Sequence, residues 1–406
     1  MLAGCCLFQG GSMGLINNCR GVFFSPVTEA TGFPMGGFTA YILVLGLFAC
    51  LLTPMVYRIM EKVDSRILLG GMSLVFAASE FAMGFARTLP AFYILGAVQG
   101  VSSAFVMFVP APLILGQWFK KRSGFAIGIC SAFSGGMGIL FNPIGSAVID
   151  RFGWQAGYFS FGIIAFLMTF PVSVFLLRVH PRDVGLLPYG EEEGDSPAAS
   201  LTGIPPERAR RSYSFVLALV AVFLVSLGGA FNGHLSPLGI SCGYGTRVAA
   251  YLVSVSMAGN VVSKFILGSL YDRKGLAAAV SVALAVPAVG FSLLLIDSIP
   301  VRMAGSLLFG FVMGAGNVLP SLVIKDVYGL RSYGGLLSCV MTALTLSNSV
   351  SVALGGWMVD LFGAPRGYLI SFKAGIVILA VAAILYTCVI RGGRRLVRRY
   401  EAGTPD

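Results

Sequence analysis

About twelve stretches of roughly 20 mostly apolar residues follow one another along this chain, separated by short polar breaks, and that is the length a helix needs to cross a bilayer. No other feature limits the fold as tightly, because backbone amides in hydrocarbon must find partners inside their own helix. Charged residues make up 11% of the 406, against roughly 25% in soluble domains. A water-soluble fold is excluded, and the chain is expected to be an all-α membrane protein surrounded by lipid.

The spans are expected at 1–24, 36–58, 67–86, 92–116, 124–149, 154–178, 213–235, 247–270, 276–296, 301–325, 335–360 and 367–390. The first run has no basic segment before it and no small-residue cleavage site, so it reads as a span and not as a removable signal. Placing the even-numbered loops, the central segment and the C-terminus on one side gathers 20 of the 28 Lys and Arg residues there. By the positive-inside rule that side is cytoplasmic, which puts both termini inside the cell and the protein in the plasma (inner) membrane.

The net charge of +11 would suggest nucleic acid in a soluble chain. Here the basic residues fall in short loops beside the spans, so no nucleic-acid partner is expected. Eight scattered cysteines and two histidines offer neither a disulfide framework nor metal-ligand spacing, and no cofactor or metal is implied. No phosphate-cradling glycine loop and no nucleophile with a base stands out, so an enzyme is not expected.

One long hydrophilic stretch, 179–212, contains Glu191, Glu192, Glu193 and Asp195 followed by prolines and basic residues. It reads as a cytoplasmic linker between an N-terminal half, 1–178, and a C-terminal half, 213–390, with a short cytoplasmic tail at 391–406. The halves repeat. A shift of 210 residues pairs Gly145 with Gly355, Asp150 with Asp360, Phe152 with Phe362, Gly153 with Gly363, Gly157 with Gly367 and Tyr158 with Tyr368, and also Lys121 with Arg331 and Gly124 with Gly334. A shift of 211 pairs Glu61 with Asp272 and Lys62 with Arg273. Two parallel six-helix repeats are a transporter arrangement, with a site expected near the bilayer midplane between them.

An ionisable side chain within a span costs about 3 kcal/mol on insertion scales, so it usually has a cavity or a partner. Four are clear: Arg20, Glu80, Lys264 and Lys373. Three cations against one anion favour a negatively charged cargo over a positive one. Lys264 follows Asn260 by one helical turn and Arg20 follows Asn17 by three residues, so each pair shares a helix face and is a candidate for substrate binding. The plainer readings are a Lys264 snorkelling to the cytoplasmic interface and an Arg20 paired with an acidic residue such as Glu29 or capping helix carbonyls. Gln99, Asn232, Asn317 and Asn348 are further candidates for substrate contact, with helix-to-helix hydrogen bonding as the alternative for each. His234, near the outer end of span seven, and Glu80 are candidates for a coupling proton, with a solvated rim histidine and a cation-paired carboxylate as the plainer readings.

The loop Gly268-Ser-Leu-Tyr-Asp272-Arg273-Lys-Gly275 resembles the signature cytoplasmic loop of the major facilitator superfamily. Its counterpart, Tyr57-Arg-Ile-Met-Glu61-Lys62-Val-Asp64-Ser-Arg66, is a degraded copy with Tyr57 and Asp64 where glycines are usual. The resemblance implies the major facilitator fold, with Glu61, Lys62, Asp272 and Arg273 as a conformational latch. A narrower likeness is to the oxalate/formate antiporter and monocarboxylate transporter branch. It is carried by Gln117-Trp-Phe-Lys-Lys-Arg122-Ser-Gly124 and by His180-Pro-Arg-Asp-Val-Gly185-Leu-Leu-Pro188-Tyr-Gly190.

That branch tends to carry a substrate-binding arginine where Lys264 stands here. Oxalate antiporters add a lysine in span eleven, whereas residues 335–360 hold neither Lys nor Arg, so oxalate itself is not expected. The run Gly135-Gly-Met-Gly138-Ile-Leu-Phe-Asn142-Pro143-Ile-Gly145 is similar to the antiporter motif of drug exporters, but Asn142 replaces its glycine.

A drug exporter should also show acidic residues in its cavity-facing helices, which this chain lacks. The expected function is therefore secondary transport of a small organic anion such as a monocarboxylate, balanced by a coupling proton or a counter-anion, by a monomer. A multidrug or neutral-solute exporter of the same fold is the alternative. A sensor is less favoured, because only a short basic segment follows residue 390.

Overall fold

The computed structural model describes residues 1–119, 123–179, 181, 185–190, 204–329 and 333–401. Among them, ten helices are long and apolar enough to cross a bilayer. One of these, Thr246–Leu294, breaks at Gly275, where φ is 80°, so it supplies spans eight and nine. Glycine reaches this positive φ because it has no Cβ to clash, and the helix is interrupted there. The N-terminal span completes twelve.

Span one differs from the expected 1–24. It consists of Leu2–Gln9, a π-helical stretch Gly10–Asn17 and a second α-helix, Gly21–Thr31, and it ends where Gly32 takes a φ of 73°. The glycine-rich start of that stretch lowers helix propensity, so packing decides the local winding. Span two is Met35–Lys62, span three Ser65–Met83 and span four Leu89–Trp118. Span five is Ser123–Phe152 and span six Trp154–Leu176.

Span seven runs past 235 to Ser241 through a tight turn at Phe231–His234. Spans ten and eleven are Ile299–Tyr328 and Tyr333–Phe362. Span twelve continues as helix beyond 390 to Glu401.

The repeat seen in the sequence is a repeat in backbone geometry. Gly153 and Gly363, at φ 86° and 72°, end spans five and eleven, and each donates its N–H to the residue four before it, Ile149 and Val359. Both glycines thus take a positive φ, which side chains other than glycine rarely adopt.

Packing divides the chain into two compact units. The first comprises Met1–Asp195, Asn232–Ala258 and Val352–Tyr368; the second comprises Ser196–Phe231, Gly259–Ser351 and Leu369–Asp406. The first unit has an aromatic centre in which Phe23 stacks on Tyr158 at 4.2 Å, flanked by Phe92, Phe161 and Trp154. The second centres on Phe291, Phe309 and Phe372.

Large apolar side chains also cover the outside, with Ile67 and Phe175 at 73% and 74% exposure. On helices of this length such residues face lipid, which makes the chain a multi-pass membrane protein.

Part of the expected linker is packed. The Trp118 indole N–H donates to the Arg178 carbonyl at 2.9 Å, and the Tyr189 N–H donates to the Trp118 carbonyl at 2.8 Å. The Phe119 and Tyr189 rings lie 5.9 Å apart. The two segments that carry the narrower family likeness thus hold each other. A further helix, Pro206–Arg211, precedes span seven. Glu191, Glu192, Glu193 and Asp195, like Lys121 and Arg331, lie outside the described residues.

Candidate substrate site and gate

Three of the singled-out polar residues form one buried chain within the first unit. The Arg20 guanidinium donates from Nη2 to Gln99 Oε1 at 3.0 Å, and Gln99 Nε2 donates to Glu80 Oε2 at 2.6 Å. Exposures of 7%, 0% and 2% take all three out of solvent. A buried charge persists only when compensated, and here the amide relays the carboxylate's charge to the guanidinium across spans one, three and four. Arg20 Nε has no hydrogen-bond partner within the protein. Gln99 was a candidate for substrate contact, and the structure gives it the bridging position.

Serines on spans one and eight approach backbone carbonyls of neighbouring spans. Ser12 on span one lies 2.9 Å from the Phe8 carbonyl of its own span and 3.3 Å from the Val106 carbonyl in the π-helical stretch Ala104–Phe108, so its hydroxyl can serve either. Pro143, inside span five, has no N–H for the Ile139 carbonyl, to which Ser254 on span eight donates at 3.0 Å. Asn142, the departure from the exporter motif, donates from Nδ2 to the carbonyls of Gly138 and Asn18 at 2.7 and 3.4 Å. Asn18 in turn donates to the Ser134 carbonyl at 3.2 Å. Asn18 and Ser254 were not singled out by sequence reasoning. The spacing of Pro143 to Ile139 marks the free carbonyl, but nothing local names its donor.

His234 is not a solvated rim residue. It is 1% exposed, with Nε2 2.9 Å from the Val352 carbonyl and the ring between Phe24 and Tyr368, each 5.6 Å away. It closes the tight turn Phe231–His234, after which the helix resumes at Leu235. Asn232 is also buried and accepts a hydrogen bond from Ser256 at 2.7 Å, tying span seven to span eight.

In the second unit, Asn260 is buried with Oδ1 lacking a protein partner, and Lys264, one turn on, is half-buried. Gly259 makes this placement possible, since a Cβ there would meet the Leu307 carbonyl of span ten. Asn317 is exposed and donates to the Met313 carbonyl of its own helix, while Asn17 and Asn348 are half-buried. Lys373 is exposed.

Of the latch residues, Lys62, Asp272 and Arg273 are exposed, and the side chain of Glu61 lies outside the described residues. The ion pair near the end of span ten is Arg394 with Asp326, at 2.8 Å.

A sequence profile described as "Major Facilitator Superfamily" matches residues 6–295. The chain is 26% identical over 366 residues to monocarboxylate transporter 12 of Rattus norvegicus, covering 82% of this chain and 72% of that protein. It is 28% identical over 310 residues to monocarboxylate transporter 11 of Homo sapiens, covering 72% and 62%. Among solved structures, a bacterial homolog of the human lysosomal transporter Spinster, inward-facing and unoccupied, superposes with a TM-score of 0.75 at 16% identity over 97% of both chains. The nucleoside transporter NupG gives 0.72 at 10% identity over 95% and 98%. At these identities the structural likeness speaks for the fold.

Proposed function

Because the chain belongs to the Major Facilitator Superfamily, we propose that it is a secondary active transporter whose cargo is a small organic anion, a monocarboxylate or substituted carboxylate. The observation that carries this reading is Lys264, a half-buried cation within span eight, one turn from the buried amide of Asn260. It stands in a chain whose relatives include proteins named as monocarboxylate transporters. Lysine supplies a point charge for a carboxylate, and Asn260 supplies directional hydrogen bonding. Arg20 acts from span one, oriented by Gln99.

A coupling proton or counter-anion is needed because moving one uncompensated elementary charge across the membrane costs about 2.3 kcal/mol per 100 mV. Glu80 is our candidate for the proton, since protonating it would release the charge that holds Arg20 through Gln99. His234 is the second. Both termini lie in the cytoplasm of a monomer in the plasma (inner) membrane, by the distribution of basic loops.

A thermal-shift panel of mono- and dicarboxylates tests the cargo on the purified wild type, Lys264→Ala and Lys264→Arg. Ligand at 100 times Kd stabilises by about 2.7 kcal/mol. Monocarboxylates are expected to stabilise the wild type and Lys264→Arg but not Lys264→Ala. Equal shifts in all three proteins, or none in any, defeat the assignment of Lys264.

A further inference from the structure

The span ends opposite the basic loops carry two contacts related by the 210-residue repeat. Asp360, near the end of span eleven, accepts both N–H groups that open span two: Met35 to Oδ1 at 2.8 Å and Gly36 to Oδ2 at 2.7 Å. Asp150, at the equivalent place in span five, accepts the hydroxyl of Thr246, the first residue of span eight, at 2.5 Å. Adding 210 to Gly36 gives Thr246. The two contacts therefore hold repeat-equivalent places with the repeats exchanging roles, one on backbone N–H groups and the other on a side-chain hydroxyl, and all their members lie in the first unit.

The first N–H groups of a helix have no partner inside it and carry the positive end of its dipole. The Asp360 carboxylate is favourably placed on those of span two, while Asp150 meets the start of span eight through the Thr246 hydroxyl. Closeness reinforces the contact at spans two and eleven. A Cβ on Gly36 would collide with Trp357 and Asp360, and one on Gly356 would collide with Thr39 and the Gly36 backbone. Both aspartates are solvent-exposed. Water can replace each contact as the helices part, which suits a joint that must break and reform.

We infer that Asp150 and Asp360 are paired clasps that hold span five to span eight and span eleven to span two, and that they set how often this face opens during transport. They are positioning residues and do not bind cargo. The inference rests on the family's alternating access and on no choice of substrate.

The test is the thiol-labelling rate of Ser236→Cys, a site 3% exposed on span seven, in a background with the eight native cysteines replaced and the protein in nanodiscs. No substrate is added, so failure here leaves the anion reading untouched. Asp150→Asn and Asp360→Asn should each raise the rate about twofold to fivefold, and the double variant should show roughly the product. Thr246→Val should match Asp150→Asn and add nothing to it.

An unchanged rate in the double variant overturns the inference, as does full additivity of Thr246→Val with Asp150→Asn. A comparable rise in Asp326→Asn, which breaks an ion pair elsewhere, would mean general loosening and would overturn it too.

Discussion

Ser254 on span eight donates its hydroxyl to the carbonyl of Ile139 on span five, the carbonyl that Pro143 deprives of a helical donor. The proline and the serine are thus one device: the first creates an acceptor inside a span, and the second uses it to join two spans. In hydrocarbon the acceptor has no water to fall back on.

Ser254→Ala is accordingly expected to lower stability by about 1 kcal/mol, the usual size of a side-chain hydrogen bond between spans. Pro143→Ala restores an N–H four residues after Ile139, so the serine becomes redundant in that background. Thermal unfolding of the two single variants and the double variant gives the coupling directly. An equal cost for Ser254→Ala with and without Pro143 would show that the carbonyl was never the point of contact.

The Arg20, Gln99 and Glu80 chain should behave as one unit. Removing one partner of a buried charge pair costs about 3–5 kcal/mol because the other is left uncompensated. Arg20→Met or Glu80→Met alone should therefore be severe, and the pair together should cost less than the sum of the two. Gln99→Leu should approach either single variant, since it breaks the relay while keeping both charges. Unfolding midpoints that add across the charged pair would separate the two groups energetically and contradict the relay.

What could be read from sequence was whatever repeats along the chain. Hydropathy marks the spans, and the 210-residue shift pairs Asp150 with Asp360 and Gly153 with Gly363, which are the residues that share a geometry at the ends of spans five and eleven. The Arg20, Gln99 and Glu80 chain was not legible as a unit. Gln99 lies 79 residues from Arg20 and 19 from Glu80, and only the packing of three spans brings them together. His234 is buried where the hydropathy pattern predicts a rim residue, and the turn at Phe231–His234 in which it lies is not part of a straight helical extrapolation. Likewise, the extent of span one depends on a π-helical stretch that leaves no periodic signal in glycine-rich sequence.

The contact of Trp118 with the segment after span six gives the last prediction. Trp118 donates from its ring to the Arg178 carbonyl and accepts from the Tyr189 N–H through its own carbonyl, while Phe119 meets the Tyr189 ring. Trp118→Phe keeps the backbone bond and most of the ring but removes the indole donor, at an expected cost of about 1 kcal/mol. Tyr189→Ala keeps both hydrogen bonds and removes the aromatic contact, at about 0.5–1.5 kcal/mol beyond its lost burial. Because both changes act on one docked segment, their combination should cost less than the sum, whereas independent effects would add. Unfolding midpoints of the two single variants and the double variant decide between these outcomes, and strict additivity would mean that Trp118 and Tyr189 do not hold the segment jointly.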